Sequence, residues 1–428
     1  MRPAAGALRV SVAALAAGLV MALPAAPAPA AMRPGIWITP AELRALPERG
    51  PAWAQLVALS RENLGRASLS DQDSDHDVRV LATALVAART DDDRLRQRAA
   101  AGIMDAIGTE HGGRTLALAR GLQSYVIAAD LIGLRRLDPG KDRVFRAWLR
   151  QVPREKLQPS DNPTLILTHE LRPNNWGTHA GASRIAVDIY LGDARDLRRA
   201  AAVFKGWLGD RTAYHGFVWG DRSWQADPRH PVGVDPAGAH RDGIDVDGAL
   251  PDDMRRGCDL KNPPCPTRYP WEAMQGATAQ AEMLYRQGYD SYRWGDDALK
   301  RAATYLFALA RRTGQQDWAA PSGHGWVPWL LNARYGIHLP TRLPTPPGKG
   351  IGFTDWTAAA QRGDGANGAG VAVAPARAAD PPASRVERTA RDALPIVLGA
   401  IAAASVALVA AIVIGRRRRP ARRRPARG

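Results

Sequence analysis

Cysteine is nearly absent from this sequence: Cys258 and Cys265 are the only two among 428 residues. A metal or redox role would need closer spacing or more ligands, so in an exported domain the pair most simply closes a small loop as a disulfide. No run of apolar and polar alternation is long enough to argue for a sheet. Tryptophan is missing from both ends, since all 13 fall between Trp37 and Trp356. One ordered region therefore carries low-complexity flanks, which excludes a mostly disordered chain. Acidic residues are also in deficit, with 42 Asp+Glu against 58 Lys+Arg and a formal charge of +16. Such a balance first suggests nucleic acid. The excess is concentrated, however: eight arginines lie in residues 416–428, two precede residue 10, and residues 31–356 carry only +5. Nucleic-acid binding is not what this distribution indicates.

The charged ends instead read as topology signals. Arg2 and Arg9, an apolar stretch from Val10 to Leu23 and the small-residue Ala28-Pro29-Ala30 site form the pattern of a signal peptide over 1–30. Residues 394–415 hold no charge, and at about 1.5 Å per residue they cover the roughly 30 Å hydrocarbon core as one transmembrane helix. The arginine block at 416–428 follows at once and keeps that end cytoplasmic. No LPxTG signal precedes the span, so the anchor is expected to be retained. Between Trp356 and the span, residues 357–393 are rich in Ala, Gly and Pro and read as a stalk. The expectation is a single-pass cell-membrane protein with an extracellular domain over 31–356.

Within that domain the pattern is helical. Amphipathic stretches such as AWAQLVALSRENLG, DVRVLATALVAART and RTLALARGLQSYVIAADLIGL alternate with short Gly, Pro, Asp and Asn punctuation. In the third, Leu118, Leu122, Tyr125, Ala129 and Ile132 lie on one helix face. Helical pattern returns at 271–288, 296–312 and 325–335. The fold class is mainly α, and many helices of similar length with short turns suit an α/α toroid, an incomplete barrel of helix hairpins around a cleft. Residues 209–268 break the pattern, and Phe217, Trp219, Trp224 and the cysteine pair mark them as an ordered loop system.

Two strings carry candidate chemistry. In RPNNWGTHAGASRIAVDIYLGD, Asn174 and Asn175 are helix-start residues, and a helix running on from them places Asn175, His179 and Ser183 on one face. Its buried stripe is Ala182, Ile185, Ala186 and Ile189. In TRYPWEAMQGATAQAEMLYRQGYD, Pro270 suits the first helical turn, with Tyr269 at the mouth and Glu272 close behind. Met274, Ala277, Ala281 and Leu284 form its core stripe. Amide donors near a cation relieve the charge that builds up when a proton is taken from the carbon next to a carboxylate. Asn174, Asn175 and His179, with Arg172 or Arg184 as that cation, supply these groups within thirteen residues. Trp219 and Trp224 offer flat apolar faces on which sugar rings stack. The loop with His230, His240, Asp242, Asp245 and Asp247 does not match calcium-loop spacing, so no metal is assigned.

Together, the Asn-Asn helix start, the Tyr-x-x-x-Ala/Met-x-x-Gly helix start and the GFTDWT string at 352–357 resemble the alginate lyase-like polysaccharide lyases of α/α-toroid fold, over about residues 115–357. The resemblance implies β-elimination on a uronic-acid polymer without metal or other cofactor. Asn174 or Asn175 would neutralise the C5 carboxylate, Tyr269 would protonate the leaving O4, and a histidine would take part in proton transfer. Where the family has His directly after the Asn pair this chain has Trp176, and His179 is the nearest histidine, one turn on. Arg172, Arg184, Trp219, Trp224 and Glu272 are the expected substrate-binding residues. Two other readings stand beside this one. A glycoside hydrolase on a similar toroid would need opposed carboxylates such as Asp221, Asp242 and Glu272, and a non-catalytic surface protein would only bind the glycan.

Overall fold

A computed structural model describes residues 33–358, except 34, 158–162 and 322. The signal-peptide, transmembrane and tail assignments, and the stalk beyond residue 358, lie outside the described residues; Thr357 and Ala358, read as the start of the stalk, are buried at the end of the last helix and belong to the domain. Among those described, no helix is long and apolar enough to cross a membrane.

The chain is mainly α, as its periodicity implies. It opens with α1 (Pro40–Ala45), α2 (Pro51–Arg61), α3 (His76–Thr90), α4 (Asp93–Asp105) and α5 (Thr115–Leu131). Next come α6 (Leu134–Leu137), α7 (Pro139–Gln151), α8 (Leu165–Leu171), α9 (Asn175–Leu191) and α10 (Ala194–Trp207). The chain ends with α11 (Pro251–Met254), α12 (Tyr269–Arg286), α13 (Trp294–Thr313), α14 (Trp326–Tyr335) and α15 (Thr354–Thr357). Local chemistry sets many of the boundaries. Thr39 and Glu42 form a capping box, while Asp92, Asp138, Thr164, Asn174 and Asp193 each accept a backbone N–H at a helix start. Gly192, Gly314 and Gly336 end helices in the left-handed conformation.

The long helices divide by burial. α3, α5, α9, α12 and α14 are buried on almost every side, whereas α4, α7, α10 and α13 bury one face. The buried helices pack in succession, α3 on α5, α5 on α9, α9 on α12 and α12 on α14. The one-sided helices lie outside them, α4 against α3, α10 against α9 and α13 against α12. All the stripes expected for α5, α9 and α12 are buried, down to Met274, Ala277, Ala281 and Leu284 at 0% exposure.

After α14 the chain returns to its first helices. α15 packs on both α14 and α2, and the Trp356 ring lies 5.1 Å from that of Trp53. Trp356 Nε1 donates to the Pro47 carbonyl at 2.9 Å, Lys349 Nζ reaches Asp77 at 2.7 Å and the Ser74 carbonyl, and Ser124 Oγ donates to the Gly350 carbonyl. The GFTDWT string is therefore a closing piece of the core, with Asp355 accepting from the Thr345 N–H at 2.8 Å.

Between α10 and α12 regular structure is limited to α11 and a two-residue hairpin, His240–Arg241 paired with Ile244–Asp245. Side chains supply the bonds that a ladder would have made. Gln225 pairs with Val232 through both its amide atoms, Asp235 accepts from the Ala226 N–H, and Arg301 donates to the Asp235 carbonyl and to Asp247.

α9 and α12 meet most closely at Gly276, where an added Cβ would stand 2.4 Å from the Thr178 carbonyl carbon and 2.5 Å from the His179 nitrogen. Both obstacles are backbone, so neither can turn aside. Gly276→Ala is expected to destabilise the fold by about 1–3 kcal/mol, the usual cost of overpacking. A denaturation midpoint equal to that of the wild type would show that the two helices are free to separate.

Candidate functional site

The site begins at the first turn of α9. Asn174 caps the helix by accepting from the Trp176 N–H, and its Nδ2 donates to Asp252 at 3.0 Å. The Asn175 N–H donates to Asp253 at 3.2 Å, and Asn175 Oδ1 accepts from Arg256 Nη1 at 3.1 Å. The Arg256 guanidinium in turn lies 3.3 Å from the centre of the Tyr269 ring. Arg256 thus bridges the starts of α9 and α12. Tyr269 is 36% exposed, while both asparagines are buried.

The segment that holds the asparagine pair is PDDMRRG, from α11 onward. Asp252 is clamped by Arg255 at 2.8 Å. Burial and then the neighbouring Asp252 push the Asp253 carboxyl well above the ordinary carboxylate range. A disulfide between Cys258 and Cys265 lies between Arg256 and Tyr269 in the chain and limits how far the two can part. Asp252, Asp253 and Arg256 are site residues that helical periodicity does not reveal. The available signal was two acids and two arginines run together inside an otherwise Gly- and Pro-rich interval.

One turn further in, a second group gathers around Glu272. Its Oε1 lies 3.2 Å from His324 Nε2, and its Oε2 lies 3.7 Å from His179 Nε2 and 3.6 Å from Arg120 Nη2. These are charge contacts rather than aligned hydrogen bonds. Both ring nitrogens of His179 and of His324, Glu272 Oε2, Arg120 Nε and Gln275 Oε1 are all buried with no hydrogen-bond partner. One such atom typically costs about 1–3 kcal/mol, so these seven, one of them on the carboxylate itself, mark the cluster as the candidate site. Burial pushes the Glu272 carboxyl up, but its contacts with His179 and His324 and the charge of Arg120 more than reverse this and hold it well below the ordinary range. Burial pushes the His179 ring down, and the Glu272 carboxylate only partly restores it. At neutral pH the centre therefore contains a carboxylate and an uncharged His179 imidazole.

The structure joins Asn175 to Tyr269 through Arg256, and His179 to Glu272 directly. Asn175 and His179 are successive turns of α9, and Tyr269 and Glu272 successive turns of α12, so the four belong to one locality. Ser183, next on the α9 face, is turned to α5, where it donates to the Ala119 carbonyl at 2.7 Å. Arg120 and His324 were not singled out as site residues. They arrive from α5 and from the turn before α14.

Two of the expected binding residues, Arg184 and Trp224, are placed otherwise. Arg184 is buried and ion-paired with Glu170 at 3.1 Å and Asp196 at 2.6 Å, so it ties α9 to its neighbours; the cation beside Asn175 is Arg256. Trp224 is 1% exposed and donates to the Cys258 carbonyl, which makes its ring a core element beneath the loops and not a sugar platform. Arg172 lies over the Trp176 ring at 4.7 Å. Trp219 is half-buried and meets Phe217 edge-on.

The coupling of His179 to Glu272 is open to direct measurement. In the wild-type protein the His179 ring is expected to titrate below 6.5, followed by NMR of the imidazole. In Glu272→Gln the midpoint should fall further, because the group that favours the protonated ring is gone; a rise would show that the two do not interact. A folded-state value below the unfolded one also means that this ring's contribution to stability is present above about pH 6.5 and is lost as pH falls through the folded midpoint.

Comparisons of the chain with protein-family models, with curated proteins and with solved structures return no match. What the site does has to be argued from its own geometry.

Proposed function

We propose that this protein is a polysaccharide lyase that cleaves a uronic-acid-containing, alginate-like polymer by β-elimination, held at the cell surface by its C-terminal span. The observation that carries the reading is the Asn175–Arg256–Tyr269 bridge at the mouth of the unpartnered cluster around His179 and Glu272.

β-Elimination needs three things of a protein: relief of charge on the substrate carboxylate, a base for the C5 proton and an acid for the departing O4. Asn175 Oδ1 accepts from Arg256, so the Nδ2 hydrogens are the ones that would meet a substrate carboxylate. The adjacent guanidinium adds a full positive charge, so the C5 carboxylate is met by an amide and a cation together. Tyr269 lies against that cation and is 36% exposed, which supports a role as the acid for O4. The uncharged His179 imidazole is a base one turn deeper, and Glu272 favours its protonated form. Once protonated, His179 is paired with an ionised carboxylate, so the proton is stabilised where it arrives.

An α/α toroid is the finer architecture we propose. The succession of buried helices α3, α5, α9, α12 and α14, with α15 joining α14 to α2, supports an incomplete barrel, and the one-sided helices suit its outer layer. In such a barrel the cleft is lined by the helices that carry Arg120, Asn175, His179 and Glu272.

The product of β-elimination carries a C4–C5 double bond that absorbs near-ultraviolet light. Incubation with a panel of uronate polymers is expected to raise that absorbance. Tyr269→Phe and Arg256→Met should each lower the rate by about 10²-fold or more while leaving the fold intact. New reducing ends without absorbance would point to hydrolysis instead. Polymer binding with neither signal would identify a glycan-binding protein.

A further inference from the structure

We propose that Glu110, His111 and Glu155 bind one divalent transition-metal ion of the zinc class, at a site that shares no residue with the Asn175–Glu272 cleft. Glu110 and His111 lie in the turn between α4 and α5, and Glu155 follows the 3-10 turn Val152–Arg154 at the end of α7. One donor atom from each falls within 4.8 Å of the others.

The state of Glu110 points to a ligand. Its side chain is 1% exposed; Oε1 accepts from Trp148 Nε1 at 2.8 Å, and Oε2 is buried with no partner. A carboxylate oxygen is a strong acceptor, and folding leaves this one without a donor. The nearest polar groups are a second carboxylate and an imidazole, since His111 Nδ1 lies 2.7 Å from Glu155 Oε1. Among the described residues, no Lys or Arg forms an ion pair with either Glu110 or Glu155. Two carboxylates converge here without a counter-charge, and a dication supplies it.

The donor set narrows the class of ion. One imidazole nitrogen and two carboxylate oxygens match the borderline preference of zinc and its neighbours, and three protein ligands leave a position for water. Calcium and magnesium would favour an all-oxygen shell. Trp148 orients Glu110 from behind, as outer partners of metal ligands do. His111 is 69% exposed and Glu155 27%, so the ion has an entry from solvent, and binding would replace the His111–Glu155 contact with two bonds to the metal. Bound there, it would staple the α4–α5 turn to the end of α7.

Chelator-treated full-length protein, titrated with zinc by calorimetry, is expected to bind one equivalent through this site. His111→Ala changes an exposed side chain and Glu155→Gln is isosteric at a half-buried one, so both should keep the wild-type circular dichroism. Each is expected to weaken zinc at least tenfold, since even outer-shell changes typically cost about 10–100-fold. Cobalt(II) used as a probe should give a visible absorption band that both variants lose. The proposal is overturned if wild-type protein binds no zinc, or if zinc affinity and the cobalt band survive both substitutions.

Discussion

The close crossing of α9 and α12 at Gly276 sets the position of nearly everything chemical in this protein. With backbone against backbone, a residue on one helix has no freedom to drift relative to its counterpart on the other. On the N-terminal side of Gly276, α12 carries both partners of α9: Tyr269, joined to Asn175 through Arg256, and Glu272, beside His179. Gln280 adds a lock, donating to the Thr178 carbonyl at 2.9 Å. The remaining participants come from helices or turns packed on this pair. The locality is thus defined by two helices, and the others complete it.

How much of this was legible in the sequence depends on which force decides each feature. The stripes on α5 and α12 could be read directly because apolar side chains at helical spacing have one place to go. The Asn174 cap was equally legible, since a short polar side chain before a helix start meets a free N–H. α9 was only half legible. Its apolar positions were clear, but Thr178, His179, Ser183, Arg184 and Asp188 are buried as well. Periodicity registers hydrophobicity and is blind to polar groups satisfied by partners that folding brings. Arg184 shows the consequence: near Asn175 in sequence, it is committed to Glu170 and Asp196, and a cation 81 residues further along takes the place expected of it. The burial of Trp224 was illegible for the same reason, because an indole reads alike whether it will line a cleft or a core.

The interval between α10 and α12 shows how irregular backbone acquires order without a ladder. Its acids and amides bond to nearby N–H and carbonyl groups, and Trp224 and Arg301 pin it from below and from the side. The result is a loop that holds PDDMRRG rigidly enough for Asp252 and Asp253 to hold the asparagine pair. Here the binding groups and their support are one piece of chain.

The return of the C-terminal described residues to the first helices has a mechanical side. A pull on the chain beyond residue 358 reaches the contact between Trp356 and Trp53 first, and then the ion pair between Lys349 and Asp77. Those contacts pass the load to α2 and α3, and α15, which packs on α14 as well, shares it with that helix.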